Sequence, residues 1–122
     1  HSMIRVLDLE RSMKFYADVL DLHEAHRLDF PDFVLVYLRN DENDYEIELT
    51  LNKGREEPYT HGTGYGHVAG VVPDVATTHA DLVAKGYEPA AVKEFKRGDE
   101  LLARFFFIQD PDGYKIEFIQ RA

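Results

Sequence analysis

His67-Val68-Ala69-Gly70-Val71-Val72-Pro73-Asp74 repeats, in outline, the opening His1-Ser2-Met3-Ile4-Arg5-Val6-Leu7-Asp8. In both stretches an apolar run follows a histidine, and an aspartate comes seven residues after it. The far ends match as well. Tyr45-Glu46-Ile47-Glu48-Leu49 lies against Tyr114-Lys115-Ile116-Glu117-Phe118, a shared Tyr-x-Ile-Glu-apolar pattern. From His to Glu the span is 47 residues in the first copy and 50 in the second. Two end matches in one register, with each copy taking about half the chain, read as an internal duplication.

Each copy reads as strand, helix, then three strands. In the first, His1 to Val6 is an apolar-rich strand, and Asp8 is placed to accept the free N–H groups of a following helix. Met13, Tyr16 and Leu20 recur at helical spacing. Strands follow at Glu24–Leu28, Phe33–Arg39 and Tyr45–Leu51, the last two separated by the polar turn Asn40–Asp44. In the second copy Asp74 caps a helix through His79, Leu82 and Val83, which Gly86 ends in a left-handed conformation. Strands follow at Pro89–Glu94, Leu102–Gln109 and Tyr114–Gln120, with Asp110-Pro111-Asp112-Gly113 as the last turn. Gly54, Pro58 and Gly62 mark the linker. The expected organisation is one α+β domain of two repeats, about 1–54 and 64–122, joined through 55–63.

The 122 residues suffice to bury a core without staples. A net charge of −9 and a pI near 5.0 disfavour nucleic acid and anionic membrane as partners, both of which need basic patches. A small anionic substrate needs only two or three local cations and stays open. The chain has no cysteine, hence no disulfide framework and no thiol nucleophile. No apolar run approaches the ~20 residues of a membrane span, so a cytoplasmic protein is expected. The first residue is His1, not Met, so His1-Ser2-Met3 reads as a tag remnant or as the edge of a trimmed native chain.

Side chains alternate between the faces of a strand. Glu48 therefore opposes Tyr45, Ile47 and Leu49, and Glu117 opposes Tyr114, Ile116 and Phe118. Singly, a strand glutamate is usually a solvated face residue, and a lone His is more often packed than ligating. Repeat-matched, the four residues suggest a shared purpose. If the copies pair symmetrically, His1, Glu48, His67 and Glu117 converge on two imidazoles and two carboxylates. That set neutralises a divalent ion and suits nickel, cobalt, zinc, iron or manganese. The remaining candidates read as structural. His23 and His26, three apart on a strand, face opposite ways at the surface, and His61 and His79 suggest no partner. Asp41–Asp44 and Glu56-Glu57 are solvated turns, and Phe105-Phe106-Phe107 is a strand buried on both faces.

Four motifs carry a resemblance. They are Met3-Ile4-Arg5-Val6-x-Asp8-Leu9 with Ser12, Phe15-Tyr16 and Val19-Leu20; Ile47-Glu48-Leu49-Thr50-x-Asn52-x-Gly54; Gly64-Tyr65-Gly66-His67-Val68-Ala69; and Asp110-Pro111-Asp112-Gly113-Tyr114-Lys115-Ile116-Glu117. Together, and in this order, they resemble glyoxalase I, or lactoylglutathione lyase, of the vicinal-oxygen-chelate superfamily. The resemblance implies paired βαβββ modules forming a cupped mixed sheet around a metal held by His1, Glu48, His67 and Glu117. It implies a homodimer with sites at its interface, and nickel or cobalt in preference to zinc. The implied reaction converts the methylglyoxal–glutathione hemithioacetal to S-lactoylglutathione through an enediolate. Glu117 is the favoured base, Glu48 acts on the opposite face, and Arg5 and Asn52 hold glutathione. Two features depart from the family. Lys53 stands where Trp is frequent, and Glu94–Glu100 replaces a shorter glycine-rich stretch, with Lys96 and Arg97 as alternative grips for glutathione carboxylates. Dioxygenases, epimerases and antibiotic-modifying enzymes of the superfamily, and metal-free ligand-sequestering proteins of the bleomycin-resistance type, are the competing readings. Superfamily dioxygenases and antibiotic-modifying enzymes use three protein ligands, so Glu48 as a fourth favours the lyase.

Overall fold

The computed structural model describes all 122 residues. They divide into two compact units, His1–Gly62 and Thr63–Ala122. Unit one runs β1 (Ser2–Val6), α1 (Leu9–Leu20), β2 (His23–Asp29), β3 (Phe33–Arg39) and β4 (Ile47–Asn52). Unit two repeats the order with β5 (Val68–Val71), α2 (Val75–Ala84), β6 (Lys93–Arg97), β7 (Glu100–Gln109) and β8 (Lys115–Arg121). Each unit closes its own four-stranded mixed sheet, in the orders β1-β4-β3-β2 and β5-β8-β7-β6. The first strand runs parallel to the last and the other pairings are antiparallel. The fold is α+β, two βαβββ modules. No helix is long and apolar enough to cross a membrane.

Both helix starts follow the chemistry of their caps. Asp8 accepts from the Arg11 N–H at 3.0 Å, and Asp74 from Ala76 and Thr77 at 3.0 and 3.3 Å, quenching donors that the first turn leaves unpaired. Past α2, Gly86 takes φ +93°, which a side chain would resist. One face of each sheet is apolar and covered by its helix. In unit one, Arg27, paired with Val36, reaches Met13 of α1, so Val34, Val36 and Leu38 look toward the helix, with Phe15, Tyr16 and Val19 buried against them. In unit two Phe106 stacks on Phe118 and meets the His79 ring of α2.

Four expectations need correction. The predicted strand Pro89–Glu94 lies later, at Lys93–Arg97, because Gly98 at φ +62° lets β6 and β7 join through a tight hairpin. Only Ala90, bonding Phe107 at 2.8 Å, ties the earlier segment to the sheet. The final strand of unit one starts at Ile47 rather than Tyr45. Among the three phenylalanines only Phe106 is fully buried, since Phe105 and Phe107 lie half-buried on the face away from the helix. His23 and His26 pair with Arg39 and Tyr37, two residues apart on β3, so they share a face. A bulge between Glu24 and His26 inserts one residue and reverses the alternation.

Replacing Asp74 by Ala should cost about 1 kcal/mol through the lost cap. Chemical denaturation measures this, and unchanged stability would show that the cap contributes nothing.

Candidate metal half-sites

The inner strands β4 and β8 each carry a glutamate on the face away from the helix. Met3 of β1 pairs with Glu48 and Ala69 of β5 with Glu117, so the residue two positions before each, His1 or His67, falls on that same face. His1 Nε2 lies 3.4 Å from Glu48 Oε1, and His67 Nε2 lies 3.0 Å from Glu117 Oε2. The imidazoles are about half exposed, whereas the glutamate side chains keep only 11% and 15% of their accessible surface. Each unit thus brings together one predicted pair. Neither unit by itself gathers three or more His, Asp or Glu as a metal site would require.

The donor chemistry fits half of a metal site in each unit. A proton shared between imidazole and carboxylate would occupy the place where a divalent cation binds. Imidazole nitrogen with carboxylate oxygen is the borderline mixture that first-row metals accept.

Glu48 has further partners that the sequence reading missed. Thr50 Oγ1 donates to Glu48 Oε2 at 3.0 Å within the buried part of the sheet. Tyr37, opposite Glu48 across the ladder, hydrogen-bonds its carboxylate. That bond, then burial and the charges of Glu48 and Glu46, hold the phenol above its ordinary 10.0. The Tyr37 ring stacks on His26 at 4.3 Å and meets His1 edge-on at 5.6 Å. In unit two Phe107 stands opposite Glu117 and meets His67 edge-on at 5.1 Å. Alternation from Glu48 points to Thr50, but Tyr37 needs the cross-strand register, which sequence does not carry.

Arg5 pairs with Thr50, and Asn52 lies two further along, so both predicted substrate residues share the Glu48 face. Arg5 is exposed, and Asn52 donates to the Tyr59 hydroxyl at 3.0 Å. Arg55 covers that ring at 4.3 Å, so the predicted linker folds back on the end of β4. Lys53 binds Asp29 and the Phe30 carbonyl at 2.8 and 2.7 Å and pins the β2–β3 turn. Lys96 and Arg97 sit at the exposed end of the β6–β7 hairpin, paired with Glu94 and Glu100.

A family profile of the glyoxalase/bleomycin resistance protein/dioxygenase superfamily matches residues 1–118. A lactoylglutathione lyase of Haemophilus influenzae is 42% identical over 125 residues, covering 98% of this chain and 90% of that protein. A probable lactoylglutathione lyase of Synechocystis is 40% identical over 130 residues, covering 100% and 94%. The trypanothione-dependent glyoxalase I of Leishmania major superposes with TM-score 0.77 at 34% identity, covering 98% of this chain and 84% of that one. Glyoxalase I from Zea mays superposes with TM-score 0.85 at 32% identity, and the chain covers 44% of it. The chain belongs to this superfamily and, within it, to the lactoylglutathione lyase, or glyoxalase I, family.

The Tyr37 phenol gives a direct check on this geometry. Because its folded pKa is raised, its contribution to stability is present below the ordinary tyrosine value and is lost as pH rises through the folded one. In a spectrophotometric titration of metal-free protein, the difference between wild type and Tyr37→Phe should locate one phenol ionising above the ordinary range. Glu48→Gln should return it toward that range. Tyr37 ionising like a free tyrosine would contradict the contact.

Proposed function

We propose that this chain is a metal-dependent lactoylglutathione lyase, isomerising the hemithioacetal of methylglyoxal and glutathione to S-lactoylglutathione. The observation that carries the reading is the matched pair of His–Glu contacts, one per unit, at equivalent register on equivalent strands. A metal-free sequestering protein has no use for both pairs, and a three-ligand enzyme has no use for Glu48 as a fourth.

The reaction adds and removes no atoms. A proton leaves the carbon bearing sulfur, the electron pair shifts toward the neighbouring carbonyl, and a proton returns to that neighbour. His1, Glu48, His67 and Glu117 would hold the ion, and when bound it supplies electrostatic stabilisation of the negative charge that grows on oxygen as the proton leaves. Glu117 takes the proton and returns it, with Glu48 on the opposite face. Because a ligated carboxylate is a poor base, one glutamate must loosen as substrate enters. Arg5 grips a glutathione carboxylate through its planar fork, and Asn52 offers an amide to the peptide part. Nickel or cobalt in preference to zinc, and a homodimer with sites at its interface, complete the reading. A cytoplasmic setting accompanies it, where reduced thiol is at hand.

Stripping metal with a chelator should abolish isomerisation of methylglyoxal with glutathione, and nickel or cobalt should restore it. Acid should release the ion, since ligation needs neutral His and ionised Glu. Glu117→Gln should lower turnover on the order of 10²–10⁴-fold while metal binding falls less. Near-normal turnover of this variant at full occupancy rejects Glu117 as the base. No isomerisation with any of nickel, cobalt and zinc rejects the function.

A further inference from the structure

Glu48 and Glu117 occupy equivalent strand positions but meet different neighbours. Opposite Glu48 stands Tyr37, which hydrogen-bonds it, and opposite Glu117 stands Phe107. Two residues on from Glu48 is Thr50, whose hydroxyl bonds Oε2, and two residues on from Glu117 is Ile119. A phenol and an alcohol in one unit are thus replaced by a phenyl ring and an alkyl group in the other. Neither replacement has a hydrogen to donate.

Tyr37 is itself held. Its ring lies between the stacked His26 imidazole and the edge-on His1 imidazole, so its hydroxyl is aimed by two aromatic contacts. The bulge that turns His26 onto this face makes the stack possible. Phe107 has the corresponding edge-on contact with His67 and stops at the ring.

We propose that Tyr37 and Thr50 are positioning residues that fasten Glu48 as a permanent ligand, whereas Phe107 and Ile119 leave Glu117 free to swing and carry the proton. The inference rests on the lyase reading above and says what divides labour between two glutamates that duplication made equivalent. For Glu48 to rotate off the ion, two hydroxyl bonds would have to break. Glu117 rotates against hydrocarbon. A donor aimed at a ligating carboxylate fixes its orientation, and losing such a partner typically costs 10–100-fold in metal affinity or activity.

Three variants test this, all measured by nickel calorimetry and by steady-state kinetics. Tyr37→Phe keeps the ring stack and removes one oxygen, and Thr50→Val keeps shape and removes the hydroxyl. Each should weaken nickel binding by roughly 10–100-fold. The melting temperature of the metal-free protein should hardly change, which a merely structural role would not allow. Phe107→Tyr places a hydroxyl opposite Glu117 and should lower kcat with KM and nickel affinity maintained. If wild-type protein turns over with nickel while Tyr37→Phe and Thr50→Val both bind nickel as tightly as wild type, the inference is overturned and the lyase reading survives. Full turnover by Phe107→Tyr also overturns it. If wild-type protein binds no nickel, cobalt or zinc, the lyase reading fails and takes the inference with it.

Discussion

A carboxylate in the middle of a sheet loses most of its water, and the loss is tolerable only where donors or a cation meet the charge. Glu48 and Glu117 stand in that position, on inner strands flanked on both sides. Much of each unit serves to supply the missing partners. The parallel strand beside each glutamate sets a histidine against it, and the strand on the other side sets an aromatic ring opposite. The helix packs on the far face, so the apolar core and the polar site use alternate residues of the same strands. Leu49 is fully buried on one side while Glu48 and Thr50 are held on the other.

Duplication makes such an arrangement economical in sequence terms. One βαβββ unit presents one imidazole and one carboxylate, and two units present the four groups that a divalent ion requires. The second copy then diverges where the first stays polar. Arg5, Tyr37 and Thr50 correspond to Val71, Phe107 and Ile119, so one face is rich in donors and the other in hydrocarbon. On the proposed reading this suits a substrate whose peptide portion is charged and whose reacting carbons must be kept from water.

The parts of this account that depend on local chemistry were readable from the chain. Asp8 and Asp74 announce helix starts through cap chemistry alone, and both cap as expected. The repeat pairs His1 with Glu48 and His67 with Glu117 without any structure. What depends on cross-strand register was not readable. Tyr37 faces Glu48 only because the turn between β3 and β4 sets their alignment, and His26 joins it only through a bulge that no composition signal marks. The hairpin around Gly98 was read as a charged loop because Glu94–Glu100 is so polar, yet its charges pair across the turn and the backbone extends the sheet edge. Asn52 was legible as a polar strand-end residue, but its bond to Tyr59 belongs to a linker whose path composition could not foretell.

The central claim is that each unit supplies half a catalytic centre and that halves from two chains combine. One variant lacking His1 and Glu48 and another lacking His67 and Glu117 should each be inactive alone. Unfolded together and refolded with nickel, they exchange subunits. Random pairing makes half the dimers mixed, and each mixed dimer holds one intact site of two, so about a quarter of wild-type isomerase activity should return. No recovery in a sample proven to contain mixed dimers would contradict the shared centre.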